Sequence, residues 1–210
     1  MVLHTHLPAF RSYELLKEGN RRFVSGVRSI ETFISTLKLK EFAEKEQSPL
    51  AIIITCSDSR IPTELLFDRG VGDLFVIRVI GNILTPSLIA SVEFAAVQFR
   101  TPLCVVMGHS GCGAIQAAAT ALPEDGHALS LNLKRVLGRI RPSVDAARRI
   151  APGSDLSTIL HLATIENVKR TVAKLQHQSA AIRERVEASE LAVIGAHYDL
   201  HSGRVQFDLE

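Results

Sequence analysis

The sequence predicts an α/β fold: a mostly parallel central β-sheet flanked by helices, with an N-terminal helical arm and a C-terminal edge strand. Three observations predict it. Short apolar runs rich in β-branched residues recur along the chain, turn residues bound each run, and helix-length stretches fill the gaps between them.

The first run is 50–55 (LAIIIT), directly behind Pro49. The second, 74–80 (LFVIRVI), follows Gly72-Asp73, and the third, 103–107 (LCVVM), lies between Pro102 and Gly108. The fourth is 191–196 (LAVIGA). Runs this uniformly apolar suit strands covered on both faces, as in a parallel sheet. Helices are predicted over 86–99, 111–121 and 156–186. The first of these opens with Pro86 after Thr85, a capping residue followed by a proline that needs no hydrogen bond at the first helical position. The stretch 11–26 reads as a helix outside the alternation, so residues 1–27 form an arm within one domain spanning 1–210. The run 203–209 (GRVQFDL) reads as a last edge strand. Residues 123–157 are rich in Pro, Gly and charge, yet a helical pattern between those breakers makes them an excursion rather than a linker.

Composition narrows the function. With 46% hydrophobic and 22% charged residues in 210, the chain supports one full core. A formal charge of +2, from 24 basic and 22 acidic residues, supplies no basic tail for nucleic acid or an anionic membrane, so a small or neutral ligand is expected. No apolar stretch approaches the roughly 18 residues of a membrane span, and the first residues lack a secretory pattern, which predicts a cytoplasmic protein. Three cysteines, Cys56, Cys104 and Cys112, are too few for a disulfide framework and fit a reducing compartment. Cys104, inside LCVVM, reads as a small core hydrophobe.

The chemistry concentrates at two strand ends. TCSDSR (55–60) closes the first run and GHSGCGA (108–114) follows the third, and ligands of a parallel sheet gather beyond such carboxyl ends. His109 and Cys112 stand three apart at a loop-to-helix junction and offer an imidazole nitrogen and a thiolate to a metal, while Cys56 offers a third ligand. Two Cys and one His leave the fourth position of a tetrahedral zinc site open, which marks catalysis rather than structure. A plainer reading has Ser57 or Asp58 capping a short helix near Pro62. Two phosphate motifs fail on spacing: Cys56 and Arg60 enclose three residues where a Cys-dependent phosphatase loop encloses five, and no Lys follows Gly113. GHSGC nearly matches the nucleophile elbow G-x-S-x-G, with Ser110 as the nucleophile and Asp199 and His201 as partners. It misses at Cys112 and leaves Cys56, Asp58 and Arg60 without a role.

CSDSR followed by GHSGCGA resembles the β-class carbonic anhydrases, and the likeness continues through LLKEGNRRFVSG, DLFVIRVIGN, SVEFAAV and GAHYDLHSG. The resemblance implies zinc-dependent, reversible hydration of carbon dioxide to bicarbonate and a proton. It implies one zinc ion per chain on Cys56, His109 and Cys112, with Asp58 and Arg60 as the catalytic pair and Asp58 joining the metal only in a closed form. It assigns Gln47 as an amide donor to substrate, Phe75, Ile80 and Phe94 as an apolar wall, and Gly113 as a close backbone approach. A homodimer or higher homo-oligomer, with pockets near the subunit interface, is implied as well. Two departures stand out. Val79 occupies a place where many members carry Asn. Ile53 stands where members with an inhibitory bicarbonate site carry Trp, although Arg78 and Tyr198 match the rest of that site. Enzymes that hydrolyse CS2 or COS share this fold and metal set, and a catalytically silent zinc protein would keep the ligands. The complete Asp58 and Arg60 pair argues against the silent form.

Overall fold

The computed structural model describes residues 7–29, 43–120, 129–207 and 209. Residues 1–6 of the expected arm, 121, 123–128 of the excursion and 208 of the edge strand lie outside the described residues.

The strands are β1 (Ala51–Thr55), β2 (Leu74–Arg78), β3 (Leu103–His109), β4 (Ala192–Tyr198) and β5 (Val205–Phe207). All five join one sheet in the order β2-β1-β3-β4-β5, parallel except for the antiparallel edge strand β5. The helices are α1 (Ala9–Val24), α2 (Thr63–Leu66), α3 (Pro86–Gln98), α4 (Gly113–Thr120), α5 (Leu131–Ile150), α6 (Leu156–Gln178) and α7 (Ala180–Glu187). Ile52, Ile53 and Ile54 are fully buried, and successive side chains along β1 feed two separate cores. Ile53 packs in the core completed by α1, α4 and α5, and Ile52 and Ile54 pack in that of α3 and α7. Helix α6 serves both, through Ile159 and Ala163 on one side and Val168 and Leu175 on the other. A fully buried isoleucine contributes about 1.5–3 kcal/mol, so this double coverage anchors the strand that ends at Cys56.

Local chemistry explains where elements start and stop, and four boundaries correct the sequence reading. β2 stops at Arg78 rather than 80, because Gly81 and Asn82 turn into the left-handed region (φ 62° and 41°) and form a tight 3-10 turn over Ile80–Asn82. β3 runs on through Gly108 to His109, paired with His197 and Tyr198 of β4. Helix α4 begins at Gly113, after the left-handed Gly111 (φ 65°). The long helix expected over 156–186 breaks at Ser179, which leaves helical geometry and caps α7 by accepting from the Ile182 N–H at 3.1 Å. Elsewhere the caps follow the sequence: Thr85 accepts from the Leu88 N–H ahead of Pro86, and Asp155 accepts from the Thr158 N–H at the start of α6. Within the excursion, α5 runs 20 residues, with Pro142 inside it.

The arm is clamped by one buried amide. Asn20 donates to the Leu66 and Gly203 carbonyls (3.2 and 2.9 Å) and accepts from the Val205 N–H (2.8 Å), tying α1 to α2 and β5. One residue earlier, Gly19 lies so close to α2 that a Cβ there would stand 1.8 Å from the Phe67 carbonyl oxygen. Gly19→Ala therefore pushes the arm off the domain, at a cost of about 1–3 kcal/mol. Thermal unfolding checks this: the melting temperature falls by roughly 5–10 °C. Gly138→Ala, on α5 with open space around the new methyl group, does not lower it.

Candidate metal centre

Parallel pairing of β1 with β3 sets Thr55 opposite Met107, so TCSDSR and GHSGC leave the sheet side by side at its carboxyl edge. The sulfurs of Cys56 and Cys112 and an imidazole nitrogen of His109 lie within 4.8 Å of one another. All three residues are buried. The donor set itself argues for a metal. His109 Nδ1 faces the Ser110 carbonyl at 3.0 Å, while Nε2 is buried with no hydrogen-bond partner in the protein. A ring that donates from Nδ1 presents a bare Nε2 lone pair beside two thiols, the arrangement that a tetrahedral N/S ion completes.

The thiols make the same point. Hydrogen bonds from the Cys112 thiol and from backbone N–H groups including that of Gly81 stabilise a Cys56 thiolate and draw its pKa far below the ordinary thiol range. Cys112 moves the opposite way, because it is hydrogen-bonded to that thiolate and buried beside it. Two thiolates at this spacing therefore need a cation between them. Cys104 is fully buried in β3, and burial alone pushes its thiol up to about 12, so it stays an inert core residue.

Asp58 does not cap α2; its carboxylate meets Arg60. Arg60 Nε and Nη2 donate to the two carboxylate oxygens at 2.9 and 2.6 Å, and the Arg60 N–H adds a bond of 3.0 Å. This two-pronged grip holds the Asp58 carboxyl well below the usual carboxylate range. Asp58 Oδ2 stands 4.0 Å from His109 Nε2, so the carboxylate borders the ligand cluster while remaining on the arginine. Arg60 Nη2 also donates to the Gly111 carbonyl at 3.1 Å, joining the two motif loops. Arg78, matched in sequence to an anion site, instead donates to the carbonyls of Cys56 (3.3 Å) and Asp58 (2.6 Å). Ile53 is enclosed between Val76 and Val105 and offers no donor.

The remaining sequence-derived residues scatter. Gly113 opens α4 beside Cys112 as an exposed residue, and a Cβ there would meet nothing within 4 Å. Ile80 is 39% exposed in the turn after β2. Phe75 and Phe94 gather around Phe99 on the face of the sheet opposite Cys56, with Phe94 53% exposed, and Gln47 lies on an exposed loop. The hydrolase reading fails here. Ser110 Oγ accepts from the Leu200 N–H at 2.9 Å, Asp199 is held by Ser202, and among the described residues no imidazole hydrogen-bonds Ser110 Oγ. Sequence reasoning missed Gly81, whose N–H donates to Cys56 Sγ at 3.3 Å. The visible signal was a glycine beside an asparagine directly after a strand.

Comparison with known proteins agrees with this geometry. The family model described as carbonic anhydrase matches residues 51–205. A carbonic anhydrase of Mycolicibacterium smegmatis is 34% identical over 195 residues, 93% of this chain and 91% of that protein. Carbonic anhydrase 2 of Mycobacterium tuberculosis is 36% identical over 193 residues, 92% of this chain and 89% of its own. Among solved structures, a tetrameric β-carbonic anhydrase of Sordaria macrospora superposes with a TM-score of 0.73 at 22% identity, covering 94% of this chain and 96% of that one. The β-carbonic anhydrase CcaA does so with 0.69 at 28% identity, covering 95% and 92%. With the Cys-His-Cys cluster and its neighbouring Asp-Arg pair at the sheet's carboxyl edge, these matches establish that the chain belongs to the β-carbonic anhydrase family.

Proposed function

We propose that this chain hydrates carbon dioxide reversibly at a zinc ion held by Cys56, His109 and Cys112, one ion per chain. The observation that carries the reading is the convergence of two thiols and a bare imidazole nitrogen, with the Asp58 carboxylate at its border. Zinc, when bound, lowers the pKa of water at its open position and so supplies a nucleophile near neutral pH. Two thiolates cancel the metal's formal charge, so the working range lies on the alkaline side of neutral.

The chain's own residues do the rest. Asp58 is anionic at any working pH because Arg60 stabilises its charge, and its free acceptor capacity can take the nucleophile's proton in a hydrogen bond and aim the oxygen at carbon. Arg60 restrains the carboxylate from swinging onto the metal into a closed form. The exposed Gly113, beside Cys112, gives the substrate a close backbone approach, and an amide such as Gln47 suits the oxygen that gains charge.

Completion by a second copy accounts for Gln47, Phe75 and Phe94. In the chain alone these residues lie away from the cluster, and α3 turns Phe94 and Val97 outward as exposed apolar side chains. A homodimer or higher homo-oligomer in which they wall a partner's site fits both facts, and the Sordaria macrospora relatives are tetrameric. Residues 1–210 are read as one domain. No helix among the described residues is long and apolar enough to cross a membrane. Three free cysteines fit a reducing compartment such as the cytoplasm.

Ser110→Ala separates this mechanism from nucleophilic serine chemistry. The Ser110 hydroxyl receives the Leu200 N–H and stabilises the Asp199 carboxylate, both away from the metal ligands, so its loss leaves most carbon dioxide hydration in place, with a modest drop in stability. Loss of nearly all turnover in stopped-flow assays would instead make Ser110 the nucleophile.

A further inference from the structure

Helix α6 carries three buried polar residues in an otherwise apolar environment: Thr164, Asn167 and Thr171, each 4% exposed at helical spacing. A buried amide lowers stability unless its hydrogen bonds are made, and a leucine has the same branched shape with no polar atom to satisfy. The partners of Asn167 therefore indicate its use. Its Nδ2 donates to the Gly81 carbonyl at 2.9 Å, and its Oδ1 receives the Ser143 hydroxyl of α5 at 3.5 Å. The other peptide of Gly81 points its N–H at Cys56 Sγ, 3.3 Å away.

Gly81 and Asn82 are both left-handed, and a non-glycine residue keeps that strained conformation only where its surroundings impose it. The surroundings here are specific. Asn167 holds the Gly81 carbonyl, Thr171 Oγ1 donates to the Asn82 carbonyl at 3.5 Å, and a Cβ on Gly81 would stand 2.7 Å from Ile140 Cδ1. Asn167 is not among the metal-ligand residues.

We propose that Asn167 is a positioning residue for the metal centre: by anchoring Gly81 it keeps an N–H donor on Cys56 and so limits the negative charge that this thiolate gives to the metal. The inference rests on the proposed ligand set. A thiolate that accepts an N–H bond donates less charge, which leaves the ion a stronger Lewis acid, and partners one step behind the ligands tune metals in this way.

The test compares Asn167→Leu, which keeps the branched shape and removes the donor, with Thr164→Val one turn earlier on the same helix, where the hydroxyl donates to the Leu160 carbonyl at 2.9 Å. Each is loaded with zinc for stopped-flow hydration and with cobalt(II) for its thiolate-to-metal charge-transfer band. Asn167→Leu is expected to lose about tenfold in hydration and to move the band to lower energy, since a more electron-rich thiolate is easier to oxidise. Thr164→Val removes a buried hydroxyl bonded within the helix and leaves rate and band near wild type. Ser143→Ala, which frees Asn167 Oδ1, shifts the band the same way by less and serves if Asn167→Leu does not fold. Wild-type band and rate in Asn167→Leu, or in Ser143→Ala where that is the variant read, overturns the proposal, as do equal shifts in Thr164→Val. A wild-type protein that binds cobalt without any thiolate band contradicts the ligand set instead, so the two failures are distinct.

Discussion

Cys112→Ser is expected to emerge from dialysis against a chelator with less than roughly a tenth of the wild-type zinc, and with hydration lost in proportion. The reason is chemical rather than steric. Serine keeps the shape, but its hydroxyl does not ionise near neutral pH, so the buried cluster offers one thiolate and one imidazole in place of three ligands. A control separates metal loss from unfolding. Cys104→Ser also buries a hydroxyl in β3, yet Cys104 is not part of the ligand cluster. It should melt earlier than wild type and still bind one zinc. Full occupancy in Cys112→Ser, measured by metal analysis, would remove Cys112 from the ligand set.

The second large effect is expected in Arg60→Ala. Zinc content stays near one per chain, because Arg60 touches no ligand atom, and hydration falls by about 10–100-fold. Two bonds from the guanidinium to the carboxylate disappear, along with the bridge to Gly111. The Asp58 pKa then rises toward the ordinary carboxylate value near 4, still far below a working pH. Its charge at neutral pH is thus unchanged, and what is lost is orientation and restraint. The activity profile above about pH 6 should keep its shape at a lower level. Arg60→Lys keeps the positive charge without the planar two-pronged geometry and should recover only part of the rate. Wild-type turnover in Arg60→Ala would show that the pair does not guide the reaction.

How much of this was legible beforehand follows from the range of the interactions involved. β1 and β3 were readable because burial on both faces demands continuous runs such as Ile52-Ile53-Ile54, β2 and β4 because they keep apolar runs while only partly buried, and caps such as Thr85-Pro86 act within one turn. The Cys-His-Cys set was readable because parallel strands bring their carboxyl ends together wherever the chain resumes. The break at Ser179 was harder to see, since its cause includes Glu93 on α3, whose carboxylate accepts the Ser179 hydroxyl at 2.6 Å across 86 positions. The early end of β2 has the same origin: Asn167 and Thr171 hold the left-handed turn from a helix some 86 to 89 residues further along. Arg78 was legible only as a match to the remainder of a bicarbonate site that lacks its Trp at Ile53, and its bonds to the Cys56 and Asp58 carbonyls, across 22 and 20 positions, had no local signal. Phe94 packs on Phe99 of its own chain and Gln47 lies on an exposed loop, so the walling role proposed for them against a second copy leaves no trace within one chain.

The most direct test of the central claim is stopped-flow hydration of carbon dioxide by purified protein of known zinc content, before and after chelation, with COS and CS2 offered in parallel. The account predicts about one zinc per chain, carbon dioxide turnover that disappears with the metal and returns when zinc is restored, and little or no hydrolysis of the sulfur compounds. Protein with a full zinc complement that hydrolyses COS or CS2 yet leaves carbon dioxide at its uncatalysed rate, or that acts on none of the three, would contradict it.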